Sequence, residues 1–177
     1  MLIFLLESAL PNGVERAEIR AALDRLAQAA RRWNAALVEA QVAGDNSRLF
    51  AILEAPAEES VRQAAQEADL ATTLIKSVRL VGQGLEEARA TRTTVDYVVE
   101  WNFPPGLSME AYLQRKMANS PRYAMVPEVR FLRTYVCEDM SKCLCFYDAE
   151  TVEDVLRARQ VVEAPVDAVT RVESLDA

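Results

Sequence analysis

Phe4-Leu-Leu-Glu-Ser-Ala-Leu-Pro-Asn-Gly13 lies over Tyr97-Val-Val-Glu-Trp-Asn-Phe-Pro-Pro-Gly106 at an offset of 93, with Glu7, Pro11 and Gly13 falling on Glu100, Pro104 and Gly106. One extra residue makes the offset 94 further on. There Val42, Asp45, Ser47, Ala55, Glu59, Val61, Ala64, Gln66 and Val78 fall on Val136, Asp139, Ser141, Ala149, Glu153, Val155, Ala158, Gln160 and Val172. Arg48/Lys142 and Ile52/Phe146 are conservative pairs in the same frame. A period of about 90 residues is too long for a solenoid module and suits a duplicated domain.

Each copy reads alike. An apolar run (Leu2–Ser8; Val95–Phe103) precedes a Pro/Gly turn, the signature of a strand and a loop. A helix follows: Ile19, Leu23, Leu26, Ala30 and Trp33 recur at spacings of three and four, while in the second copy Ser108 is an N-cap candidate and Asn119-Ser-Pro121 ends or interrupts the helix. Two strands joined by a polar turn come next (Val38–Val42 with Arg48–Glu54; Val129–Cys137 with Lys142–Asp148). A second helix (Glu58–Ala68; Val152–Val162, capped by Thr151 with Asp154 three residues on) and a last strand (Thr73–Val81; Val169–Leu175) complete the unit. The order βαββαβ is that of a ferredoxin-like split βαβ. The expected fold is therefore α+β: ferredoxin-like repeats at 1–83 and 94–177, a linker at 84–93, and the two units packed as an intrachain pseudo-dimer resembling a dimeric α/β barrel.

Of 177 residues, 27 are acidic and 20 basic, a formal charge of −7 that disfavours nucleic acid and anionic membrane as partners. The apolar N-terminus is cut short by Glu7 and has no basic flank, so it reads as a strand and not a signal peptide. No run approaches the length of a transmembrane helix. A cytoplasmic protein is expected, with further homo-oligomerisation left open.

Two helices cover one face of a four-stranded sheet, and the other face must be solvated or packed. Strand alternation assigns Val38, Ala40, Val42, Phe50 and Ile52, with Leu132, Thr134, Val136, Leu144 and Phe146, to the helix side. The open side then carries Glu7, Glu39, Gln41, Leu49, Ala51 and Leu53 in the first copy, and Glu100, Arg133, Tyr135, Cys137, Cys143, Cys145 and Tyr147 in the second. Two such faces together make a polar-dotted cavity. The expected ligand-binding set is Glu100, Arg133, Tyr135, Tyr147 and Cys145 with Glu7, Glu39 and Gln41. Glu100 and Arg133 are the expected ion pair, either structural or functional.

Tyr97–Ser108, the stretch Val136-Cys-Glu-Asp139-Met-Ser-Lys142-Cys-Leu-Cys145-Phe-Tyr147-Asp-Ala149 and Val169–Leu175 resemble a bacterial family of ferredoxin-like proteins labelled nickel-binding-protein-like. The resemblance covers about residues 95–176, with a decayed version over 1–83. It implies a dimeric α/β barrel and, in some members, a bound nickel ion. Family members commonly carry a histidine in the second helix. This chain has none anywhere, and that neighbourhood reads Leu156-Arg-Ala-Arg-Gln160. Without imidazole a metal site is left with Glu, Asp and Cys, so no metal and no cofactor is expected.

Cys137, Cys143 and Cys145 cluster on one hairpin, with Cys137 expected across from Cys143, within reach of a disulfide if oxidised. The four-ligand spacing of a zinc or iron–sulfur site is absent. Buried thiols acting as small apolar groups, a redox sensor and a metal site all remain open. Without histidine no Ser-His-Asp or Cys-His nucleophile can form, and Gly82-Gln-Gly84 lacks the Lys and Ser/Thr of a phosphate cradle. Three functions are consistent with these features: a small-ligand-binding protein, a cofactor-independent enzyme of the isomerase or monooxygenase type with Glu100, Tyr135 and Tyr147 as acid/base groups and Arg133 on the substrate, or a structural partner protein.

Overall fold

The computed structural model describes residues 1–82, 84–90 and 94–175. Among these are eight strands, five α-helices and one 3-10 turn, a mixed α+β fold. In chain order they are β1 (Leu2–Ala9), α1 (Arg16–Arg32), β2 (Ala36–Ala43), β3 (Arg48–Ala55), α2 (Glu58–Glu67) and β4 (Thr72–Val81). Then come α3 (Leu85–Ala90), β5 (Tyr97–Asn102), α4 (Met109–Asn119), the 3-10 turn (Ser120–Met125), β6 (Arg130–Cys137), β7 (Lys142–Asp148), α5 (Val152–Val161) and β8 (Ala168–Ser174). The expected βαββαβ order thus occurs twice. Part of the expected linker is the helix α3; its positions 91–93 lie outside the described residues.

Contacts divide the chain into two units, Met1–Val78 with Val172–Ala177, and Arg79–Arg171. Strands β4 and β8 are each divided between them. In the first unit β1 lies between β3 and β4, and β2 joins β3 to the last residues of β8. Helix α1 starts at Glu15, whose side chain caps the N3 amide while Glu18 returns the bond to the Glu15 amide at 2.8 Å. It buries Ile19, Ala22, Leu23, Leu26, Ala29 and Ala30 at helical spacing. In the second unit β7 lies between β5 and β6, and β5 joins the first residues of β8. Ser108 caps α4 through Ala111 N–H (3.1 Å) and Thr151 caps α5 through Asp154 N–H (3.2 Å), as their residue types foretell.

The two hairpins are built alike. Asn46 and Met140 both have left-handed backbone, with φ of 62° and 57°, and each amide bonds back to the residue that ends the preceding strand, Ala43 or Cys137. The loops are therefore four residues long, and Val42 pairs with Leu49 as Val136 pairs with Cys143. Directly opposed residues share a face. This register corrects the expected faces of β3 and β7. Leu49, Ala51 and Leu53 pack in the helix-side core of the first unit, and Cys143, Cys145 and Tyr147 in that of the second. Phe50, Ile52, Leu144 and Phe146 point the other way. A register shift in β2 between Leu37 and Glu39, and in β6 between Phe131 and Arg133, brings Leu37 and Phe131 into the helix-side cores, where Val38 and Leu132 were expected. Cys137 is opposed to neither thiol of β7, and none of the three cysteines is in a disulfide.

Candidate functional site

The residues expected at the site divide between the two faces and the two units. In the first unit Glu7 and Gln41 are both register partners of Phe50, and Glu39 that of Ile52, so all three share the face away from the helices. Arg48 approaches Glu7 at 3.3 Å, and Gln41 Oε1 accepts from Ser174 Oγ at 2.8 Å. In the second unit Glu100 and Tyr135 are both partners of Leu144, and Arg133 of Phe146, again on the face away from the helices. Lys142 Nζ donates to Glu100 Oε1 at 3.0 Å, a buried partner that strand alternation alone does not reveal. The Arg133 guanidinium lies 5.3 Å from the Phe146 ring centre, and Tyr135 packs edge-on to that ring at 5.4 Å. Tyr147 and Cys145 are on the opposite side, under the helices.

That helix side holds an unexpected cluster. Cys143 and Cys145, two apart on β7, bring their Sγ atoms to 4.0 Å. Lys116 of α4 donates to Thr134 Oγ1 at 3.1 Å, and the Thr134 hydroxyl donates to Cys145 Sγ at 3.2 Å. The Tyr147 and Tyr123 hydroxyls are hydrogen-bonded to each other at 2.6 Å. Arg159 of α5, only 3% exposed, donates through Nη1 to the Tyr147 hydroxyl (3.2 Å) and through Nη2 to the Pro165 carbonyl. Its Nε is buried and has no hydrogen-bond partner among the described residues.

The electrostatics follow from this packing. The hydrogen bond with Cys143, together with Arg159, Lys116 and the Thr134 hydroxyl, holds the Cys145 thiol well below the usual range despite burial. Cys143 is pushed the other way by the same bond and by burial. Burial keeps Tyr147 protonated and pushes Tyr123 up to about 12. Burial works against the Arg159 charge, but the Cys145 thiolate and Tyr147 more than hold it in place. The cluster thus sets a thiol with depressed titration beside a buried guanidinium and the Lys116 ammonium.

Above it opens a cleft of about 370 Å³, counting the part exposed to solvent, lined by Trp101, Tyr112, Arg115, Lys116, Tyr123 and Arg159 among others. No lining residue is acidic. Arg115 stacks on Trp101 (5.3 Å) and Lys116 on Phe131 (4.1 Å), so both cations are set against aromatic faces. The first unit has no such chemistry in the corresponding places. Counted from the caps at Glu15 and Ser108, Tyr112 and Lys116 correspond to Ile19 and Leu23. At offset 94, Cys143, Cys145, Tyr147 and Arg159 correspond to Leu49, Ala51, Leu53 and Ala65, all buried in one apolar core. Arg159 was legible as an anomaly: Val155, Ala158, Arg159 and Val162 follow the i, i+3, i+4, i+7 spacing of a buried stripe, into which a cation falls.

Residues 97–172 match the model of a family described as nickel responsive protein SCO4226-like. The likeness to a nickel-binding-protein-like family expected from the second-half motifs therefore holds over these residues. No curated protein matches the chain significantly. Among solved structures, a candidate chlorite dismutase, TA0507, superposes with a TM-score of 0.60 at 10% identity, covering 99% of this chain and 96% of that one. A candidate monooxygenase from Fusobacterium nucleatum (FN1347) gives 0.53 at 9% identity, with 99% and 92% covered. One from Lactobacillus acidophilus gives 0.51 at 8% identity, with 98% and 92% covered. At such identities the likeness is one of fold alone.

The donor set does not fit nickel. Histidine is absent from the chain, and among the described residues no three His, Cys, Asp or Glu side chains converge as a metal cluster would need. No described helix is long and apolar enough to cross a membrane.

Proposed function

We propose that the second unit is a receptor for a small anionic molecule with an aromatic or flat apolar body, bound in the cleft between α4, the 3-10 turn and α5. The observation that carries this is Arg159, a guanidinium buried to 3% exposure, lining a cleft without a carboxylate and with Nε unpartnered among the described residues. A buried cation costs stability unless something matches it. A planar fork with a donor in hand is matched by a carboxylate or phosphate. Trp101, Tyr112 and Tyr123 supply walls for the apolar body, and Arg115 and Lys116 close the charge at the rim. The apolar core at the same places in the first unit supports the assignment of the site to the second.

The reading of the chain as a duplicated ferredoxin-like unit is supported by backbone details that recur at the sequence offsets. Left-handed Gly13, Asn46 and Asp69 are matched by Gly106, Met140 and Glu163, and the strand register shifts occur at equivalent positions.

The test is a thermal-shift comparison of the protein and Arg159→Met with benzoate, phenyl phosphate, inorganic phosphate and neutral benzamide. Ligand at about 100 times its Kd stabilises by about 2.7 kcal/mol. The aromatic anions shift the native protein and leave the variant unmoved. Equal shifts by benzamide, or equal shifts of the variant, sink the reading.

A second reading is a cofactor-independent enzyme of the isomerase or monooxygenase type. It is favoured by the folds shared with candidate monooxygenases and by Glu100 and Tyr135 on one face, with Arg133 on that same face to hold an anionic substrate. Turnover of an aromatic anion, abolished by Glu100→Gln with binding intact, separates it from the receptor.

A further inference from the structure

We propose that Cys143 and Cys145 form a two-coordinate dithiolate site for a soft monovalent cation, with Cu(I) as the occupant. Both thiols are on the same face of β7, essentially fully buried, with Sγ atoms 4.0 Å apart. Residues two apart on a strand have Cα atoms about 6.6 Å apart, the long end of the span a disulfide bridges. A metal between the sulfurs relieves that mismatch. With thiolate–metal bonds of about 2.3 Å, near-linear coordination puts the sulfurs about 4.5 Å apart. Small side-chain rotations close the difference from the observed spacing.

Ligand number selects the ion. Nickel and zinc want four or more donors, and no third His, Cys, Asp or Glu converges on the pair among the described residues. A soft ion that is satisfied by two thiolates remains, and thiolate ligands select Cu(I).

Charge makes the same choice. Cu(I) displaces whatever protons the pair carries, which leave to solvent, and the resulting bis-thiolate complex carries one net negative charge. No electron is transferred. That buried charge has its compensation in place. Arg159 donates to Tyr147, two residues along the same face of β7, and Lys116 reaches Cys145 through the Thr134 hydroxyl. The cleft lined by Tyr112, Lys116, Tyr123 and Arg159 gives the route in, and Tyr112 packs in the same buried cluster as Cys143 and Cys145. In the first unit Leu49 and Ala51 hold these places, so one ion per chain is the capacity. This site does not depend on the anion reading, whose test uses no metal.

The experiment is an anaerobic Cu(I) titration of the full chain with its three thiols first verified as reduced, against a chromogenic Cu(I) chelator. The native protein retains one Cu(I) per chain. Cys143→Ala and Cys145→Ala each weaken it by at least about 100-fold, while Cys137→Ala retains it. Thiol labelling of the native protein gives a readout independent of variant folding: Cu(I) protects Cys143 and Cys145 and leaves Cys137 labelling unchanged. Copper surrendered wholly to the chelator by the native protein, or retained undiminished by both β7 variants, or protection confined to Cys137, overturns the proposal.

Discussion

Arg159 Nη1 and the Tyr147 hydroxyl are 3.2 Å apart, a buried hydrogen bond that ties α5 to the strand carrying both close thiols. Because Tyr147 also meets the Tyr123 hydroxyl at 2.6 Å, the guanidinium and the two phenols form one connected polar layer under the helices. The effect of disturbing this layer depends on which member is removed.

Arg159→Met removes a buried charge and leaves Tyr147 its bond to Tyr123. Removing one partner of a buried ion pair costs about 3–5 kcal/mol, whereas a buried charge with no ionic partner carries a desolvation cost that an apolar side chain of similar length does not. The melting temperature of this variant stays level or rises while its response to aromatic anions disappears. A loss above about 3 kcal/mol would mark Arg159 as structural.

Tyr147→Phe strands the Arg159 Nη1 donor in the core and costs about 1–3 kcal/mol, whereas Tyr123→Phe leaves Tyr147 bonded to Arg159 and costs about 1 kcal/mol. Urea denaturation ranks the two, and a larger loss for Tyr123→Phe contradicts the connectivity.

The thiol pair makes stability depend on pH with two opposite signs. The folded Cys145 thiol is depressed and the Cys143 thiol raised, so the folded pair keeps one proton across the ordinary thiol range. Below about pH 8.5 the unfolded chain holds both protons, one more than the folded pair. Stability therefore rises with pH there, by up to about 1.4 kcal/mol per unit. Above that point the unfolded pair holds none and stability falls. Unfolding free energies from about pH 7 to 9.5 pass through a maximum near about pH 8.5, flattened in the Cys143→Ala/Cys145→Ala double variant.

Met140 holds left-handed backbone at φ 57° where a glycine is unstrained. Met140→Gly raises stability by about 0.5–1 kcal/mol. Asn46→Gly, at φ 62°, gains less because asparagine tolerates that region. Equal gains in thermal melts would show that the side chain, not the backbone, sets the cost.

The sequence was most legible where local signals act alone. The pairing of Glu7-to-Gly13 with Glu100-to-Gly106, the caps at Ser108 and Thr151 and the polar turns placed all eight strands within a residue or two. The faces of β3 and β7 were misread because a hairpin's parity depends on loop length, and a one-residue slip reverses every side chain. Asp45 to Ser47 and Asp139 to Ser141 mark a turn without revealing that Asn46 and Met140 are left-handed. Glu7 and Glu100 were assigned to the face they occupy because β1 against β3, and β5 against β7, pair without a register shift. The cleft went unread because its cations are on helices, where Arg115 and Lys116 look like a solvated face. Only the intrusion of Arg159 into the Val155–Val162 stripe betrays it.

The central claim is tested most directly by the fluorescence of Trp101, which lines the cleft, in a Trp33→Phe background that leaves it the sole tryptophan. Titration with benzoate is predicted to change Trp101 emission saturably, with the change lost on adding Arg159→Met and absent with benzamide. A saturable change that survives Arg159→Met, or no change with any aromatic anion, would contradict it.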